Sequence, residues 1–104
     1  MNPLEKLNAT IASRKNAAPE SSYTAKLLSK GTEKCAKKFG EEAFELAMAS
    51  VLANKTNTAN EAADVLYHLL VLLQSADIPL VDVMTVLEQR AGTSGLIEKA
   101  TRNG

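Results

Sequence analysis

The sequence is short of several residues on which small proteins commonly rely, and each shortage closes a route. Cys35 is the only cysteine in 104 residues, so no intramolecular disulfide can form and a reducing compartment fits best. His68 is the only histidine. A redox di-iron bundle is disfavoured, because each half of such a site wants Glu-x-x-His and His68 follows Asp64 at four residues. Twelve basic residues balance twelve acidic ones, which removes overall charge as a means of binding nucleic acid. The opening MNPLEKLNATIASRK has no apolar core of the kind a secretory signal needs. The most apolar run, Ala62 to Leu73, contains Asp64 and His68 and is too short and polar to span a bilayer. These shortages together predict a soluble cytoplasmic protein with no membrane or nucleic-acid partner.

Proline is rare as well, with three residues, and no strand-like alternation stands out. Ala, Leu, Lys and Glu dominate, so the fold class is all-α. The length suits a single domain over residues 1–104. A first helix is expected from about Asn2 to Arg14. A second, short one capped by Ser21 or Ser22 should stop at Gly31. Thr32 can cap a long third helix to about Leu52, and Thr58 with Glu61 spells a capping box for a fourth reaching Ser75. Pro79 sits near the first position of a fifth helix ending at about Ala91. Gly92 and Gly95 interrupt the chain before a short C-terminal helical piece. The fourth helix is apolar nearly all round from Ala62 to Leu73, which marks a buried helix. A bundle of four to five helices from so short a chain can hardly enclose it, so completion by dimerisation is expected.

Acidic residues interrupt these apolar helices. Glu42 and Glu45 are three apart in the third helix, as are Glu61 and Asp64 in the fourth, so each pair shares one helical face. Their neighbours, among them Phe44, Leu46, Val65 and Leu66, imply that part of each acidic face points toward packed surroundings. Gathered carboxylates shielded from water cost several kcal/mol each unless neutralised, by protons, by lysines or by a hard divalent cation. With the two helices antiparallel, both pairs can converge on one point. Taken singly, Glu41 and Glu42 can be solvated, Glu41 can reach Lys37 or Lys38, and Glu61 can merely close its capping box. Asp64 resists such an explanation best, lying mid-helix in the most apolar segment.

Just before the acids stand Lys26, Lys30, Lys34, Lys37 and Lys38 against the single acid Glu33. This spacing lets them line one side of the helical segments and bind phosphate oxygens. A helix starting near Gly31 and Thr32 would add free backbone N–H groups that attract anions. His68 is expected to bond Asp64 or to pack rather than to act as ligand or base. Tyr23, Tyr67 and Cys35 read as packing or substrate-pocket residues.

The segments Ser21–Leu28, Gly31–Lys38, Gly40–Glu45 and Glu61–Leu73 are where a family resemblance lies, continuing through Leu87–Arg90 and Gly95–Ala100. The sequence resembles the phosphoribosyl-ATP pyrophosphohydrolase family, which provides the second enzyme of histidine biosynthesis. Glu-Glu-x-x-Glu followed by Glu-x-x-Asp is common to the wider all-α (MazG-like) nucleotide pyrophosphohydrolases. Ser-Tyr-Thr, Glu-Lys-x-x-Lys-Lys and Tyr-His look specific to the phosphoribosyl-ATP branch. The resemblance implies magnesium ligands at Glu42, Glu45, Glu61 and Asp64, with Glu41 accessory or a candidate base. It also implies a cytoplasmic homodimer. In some relatives the cyclohydrolase of the following step is fused to this domain; no such segment stands in this sequence, so a separate protein is expected to perform that step.

The expected reaction is magnesium-assisted hydrolysis of phosphoribosyl-ATP to phosphoribosyl-AMP and pyrophosphate, with Glu41, Glu42 and Glu45 in catalysis and Lys34, Lys37 or Lys38 sharing the pyrophosphate charge. Two alternatives stand beside it. One is another nucleoside triphosphate as substrate, such as dCTP or dUTP. The other is a helical dimer that binds metal or a partner without catalysis.

Overall fold

A computed structural model describes residues 1–91. Its elements are α1 (Pro3–Ser13), a 3-10 turn (Pro19–Ser21), α2 (Tyr23–Ser29), α3 (Thr32–Val51), α4 (Lys55–Ser75) and α5 (Leu80–Ala91). There is no strand among the described residues, and the all-α class holds. The C-terminal helical piece expected after Gly92 lies outside them.

Local chemistry sets the helix starts. Asn2 accepts the Glu5 N–H at 2.8 Å ahead of Pro3, whose fixed φ suits a first helical position. Ser22 accepts the Ala25 N–H at 2.9 Å and starts α2. Gly31, at φ 90° and ψ 170°, separates α2 from α3 in a conformation that only glycine adopts readily. Two expected caps are corrected. Gly31, not Thr32, is the residue before α3, and the Thr32 hydroxyl instead donates to the Ser75 carbonyl at 3.0 Å. The fourth helix starts at Lys55, because Asn54 accepts the Asn57 N–H at 3.0 Å and is itself a strong cap. Thr58 then falls within the helix and donates to the Asn54 carbonyl at 2.8 Å, so it forms no capping box with Glu61.

The two long helices pack against each other as an antiparallel hairpin, the bond from Thr32 to Ser75 joining the first residue of one to the last of the other. The core gathers at that end. Ile11, Leu27, Cys35, Leu70, Val71 and Leu80 are buried together, and Leu4, Leu7, Leu28, Tyr67, Leu72 and Met84 pack against them. Cys35 is a packing residue whose thiol donates to the Leu27 carbonyl at 3.4 Å. Among the described residues nothing comparable covers the opposite end of the hairpin. Phe44 is 66% exposed and Leu52 75%, and Met48, Val51 and Leu66 are exposed as well. Within the described residues, then, α4 is not enclosed all round; only His68, Leu70 and Val71 are fully buried on it. No single helix among the described residues is long and apolar enough to cross a membrane.

Candidate active site

Between the packed end and the open end, the acidic faces of α3 and α4 meet. Positions three apart share a helical face, so Glu42 and Glu45 point together toward α4, where Glu61 faces them. Glu42, Glu45 and Glu61 each place a carboxylate oxygen within 4.8 Å of the others. Glu42 is buried, with 8% exposed. Glu61 is half-buried, and its Oε2 is shielded from solvent with no hydrogen-bond partner among the described residues. The negative charge of Glu42, followed by desolvation and by Glu61, pushes the Glu45 carboxyl above its ordinary pKa. Three carboxylates at this spacing repel one another, and one lone pair is unmet. A hard divalent cation answers both needs, and an all-carboxylate donor set fits magnesium.

Two further groups attend Glu42. Lys38 Nζ stands 3.2 Å from Glu42 Oε1 and 3.9 Å from Glu41 Oε2. The hydrogen bond to Glu42 holds the Lys38 ammonium above its ordinary pKa. From α4, His68 Nε2 lies 3.9 Å from the same Glu42 oxygen. Burial lowers the His68 pKa despite the opposing pull of Glu42, which favours a neutral imidazole.

Sequence expectation and structure part over which acids are shielded. Asp64 is exposed, and so is Glu45; the packed surroundings inferred for both belong to Glu42. The apolar neighbours of Asp64 turn to other sides of α4. Asp64 lies outside the three-carboxylate cluster, and its charge acts on His68, raising the affinity of that ring for a proton. No hydrogen bond joins His68 to Asp64 among those described.

Beside the acids is a basic cleft of about 320 Å³. The turn at Gly31 brings Lys26 of α2 and Lys30, just past its end, to the same cleft as Lys34, Lys37 and Lys38 of α3, with Tyr23, Leu27 and Glu41 completing the wall. All five lysines singled out from sequence therefore share one cavity. The start of α3 opens nearby with no side-chain cap on its N–H groups. Lys38 links the two regions, lining the cleft while pairing with Glu42.

Residues 4–91 match the family model for phosphoribosyl-ATP pyrophosphohydrolase. The chain belongs to that family. Proteins named phosphoribosyl-ATP pyrophosphatase are similar to it over 102 residues: one from Cereibacter sphaeroides (strain ATCC 17029 / ATH 2.4.9) at 59% identity, covering 98% of this chain and 99% of the relative. The relative from Dinoroseobacter shibae is 56% identical, covering 98% of this chain and all of its own. That from Rhodobacter capsulatus is 56% identical, covering 98% and 99%.

The Ser-Tyr-Thr and Tyr-His segments meet in space, where sequence reasoning had Tyr23 and Tyr67 only as packing or substrate-pocket residues and did not place them together. The rings of Tyr23 and Tyr67 stack at 6.5 Å and 21°, and His68 stands edge-on to both, 6.4 Å from Tyr23 and 4.9 Å from Tyr67. A hydrogen bond between the Thr24 and Tyr67 hydroxyls ties α2 to α4. The only sequence signal was the presence of both segments in the resemblance, which gave no hint that they touch.

Proposed function

We propose that this chain hydrolyses phosphoribosyl-ATP to phosphoribosyl-AMP and pyrophosphate, the second step of histidine biosynthesis. The observation that carries the reading is the adjacency of a three-carboxylate cluster and a five-lysine cleft, bridged by Lys38. It stands in a chain whose relatives are named for that activity.

Glu42, Glu45 and Glu61 hold magnesium in this reading, with Asp64, one turn beyond Glu61, as the fourth ligand that the family resemblance supplies. The ion contributes charge neutralisation at phosphate oxygens when bound. The protein does the rest. Lys34, Lys37 and Lys38 bind the triphosphate and offset its charge as the α–β anhydride bond breaks. Lys26 and Lys30 hold the outer part of the same anionic substrate. Glu41, exposed in the cleft wall, orients water and accepts its proton as the water oxygen bonds to phosphorus. The displaced oxygen leaves on pyrophosphate, and Lys38 stabilises it.

The working unit in this reading is a cytoplasmic homodimer. The exposed apolar side chains of Phe44, Met48, Val51, Leu52 and Leu66 support a second copy covering the open end of the hairpin.

The test is pyrophosphate release from phosphoribosyl-ATP with magnesium and with a chelator, beside dCTP and dUTP. Rapid magnesium-dependent release from phosphoribosyl-ATP is expected. Turnover of dCTP or dUTP instead would discard the substrate, and silence on all three would leave a metal-binding helical dimer.

A further inference from the structure

We propose that Tyr23 is the platform on which the purine base of the nucleotide substrate stacks, an assignment that rests on the pyrophosphohydrolase reading above. Tyr23 is the first residue of α2, fixed there by the Ser22 cap. A tyrosine serving only the core would be covered, yet Tyr23 is 54% exposed and forms part of the lysine cleft wall. Behind it the arrangement is rigid. The Tyr67 ring lies nearly parallel to it, itself half-buried, held by Thr24 and pressed edge-on against buried His68. One end of this stack of rings is thus fixed in the protein, and the other faces the cavity.

The position relative to the charged groups selects a nucleotide base as occupant. His68 is edge-on to Tyr23 and 3.9 Å from Glu42, so a single imidazole separates the ring from the carboxylate cluster. Lys38 lines the same cleft as Tyr23 and stands 3.2 Å from Glu42, so it connects the ring's cavity to the acids. A nucleotide carries its base and its phosphates on opposite sides of one ribose. Phosphates held at Lys38 and the acids leave the base within reach of the Tyr23 ring, in a cleft whose volume suits a small ligand. Aromatic faces bind bases by stacking without needing a hydrogen-bond code, and a pre-positioned ring loses little entropy on doing so. Tyr67 and Thr24 then act as positioning residues for the platform.

The experiment compares wild type, Tyr23→Leu and Tyr23→Phe in three measurements: KM and kcat for phosphoribosyl-ATP, inhibition by tripolyphosphate, and thermal melting. Tripolyphosphate probes the lysines and acids without a base. Tyr23→Leu should raise KM roughly ten- to a hundredfold, leave tripolyphosphate inhibition within about twofold, and keep a cooperative melt. Tyr23→Phe, which keeps the ring, should restore KM. An unchanged KM in Tyr23→Leu overturns the proposal. So does an equal loss of tripolyphosphate inhibition, which would make Tyr23 a shaper of the whole cleft, and so does failure of Tyr23→Phe to rescue. A wild-type chain that turns over no phosphoribosyl-ATP overturns the pyrophosphohydrolase reading itself, a result distinguishable from the other three.

Discussion

Lys38 spends its charge on Glu42, the one buried carboxylate of the acidic cluster, at 3.2 Å. The pair places the only lysine of the basic cleft that touches the cluster at the border between phosphate binding and metal binding. Replacing Lys38 by Gln leaves Glu42 shielded with less compensation. A loss of about 1 kcal/mol in metal-free stability is expected, the usual worth of a charged hydrogen bond reduced because Lys38 is partly exposed. Added magnesium should restore much of it. Denaturant unfolding of both proteins, with and without the ion, measures this; an equal deficit in both conditions would count against magnesium binding at Glu42.

Glu45→Gln and Glu61→Gln remove ligands while preserving shape. Turnover should fall by about a hundredfold or more, and the magnesium-induced rise in melting temperature should vanish, with helical circular dichroism unchanged. Asp64→Asn is the sharper comparison, because Asp64 stands outside the cluster. Its loss should weaken magnesium binding less than that of Glu45. Full activity in Glu45→Gln would remove the ligand assignment.

Two positions with positive φ should respond in opposite directions. Ala53 follows the end of α3 at φ 59°, where an L side chain is strained, so Ala53→Gly should stabilise by about 0.5–1 kcal/mol. Gly31→Ala forces a side chain onto φ 90°, although the space around it is open, and should cost about 1–3 kcal/mol. Melting temperatures decide both signs.

A surface ion pair supplies the pH test. Lys15 Nζ is 2.7 Å from Asp77 Oδ1, linking the end of α1 to the turn after α4. The hydrogen bond from Lys15 holds the Asp77 carboxyl below its ordinary pKa of 3.8. A depressed carboxylate contributes stability that is fully present above the unfolded pKa. That contribution is lost as pH falls through the folded one. Asp77→Asn should therefore melt slightly below wild type at neutral pH and match it in strong acid. Asn also tolerates the φ of 58° found here, so the comparison isolates the charge. High salt should shrink the difference. A gap that persists in acid would assign it to the turn instead.

Much of this architecture was legible from sequence, for reasons that differ along the chain. Gly31 and the run Asn2-Pro3 mark boundaries by backbone chemistry alone, so the ends of α1 and α2 fell close to expectation. Thr58-x-x-Glu61 misled because Asn54, four residues earlier, caps as well and adds a turn of helix. The pairing of Glu42, Glu45 and Glu61 followed from spacing. Which acid is buried did not, because helical periodicity gives relative faces and not how far a neighbouring helix covers them. Glu42 is covered by α4 and Lys38, whereas Asp64 looks outward despite its apolar flanks. The meeting of Tyr23 with Tyr67 joins residues far apart in the chain, and nothing in local pattern encodes such a contact.

The bond from Thr32 to Ser75 shows that every acid of the cluster is delivered by one helical hairpin, closed by a connection of only Leu52, Ala53 and Asn54. Contacts so close in sequence form early, since little loop entropy opposes them. On that ground the carboxylates are expected to meet before α5 docks. Their mutual repulsion then opposes the closing step, and a divalent ion present at that moment would speed folding as well as stabilise its product.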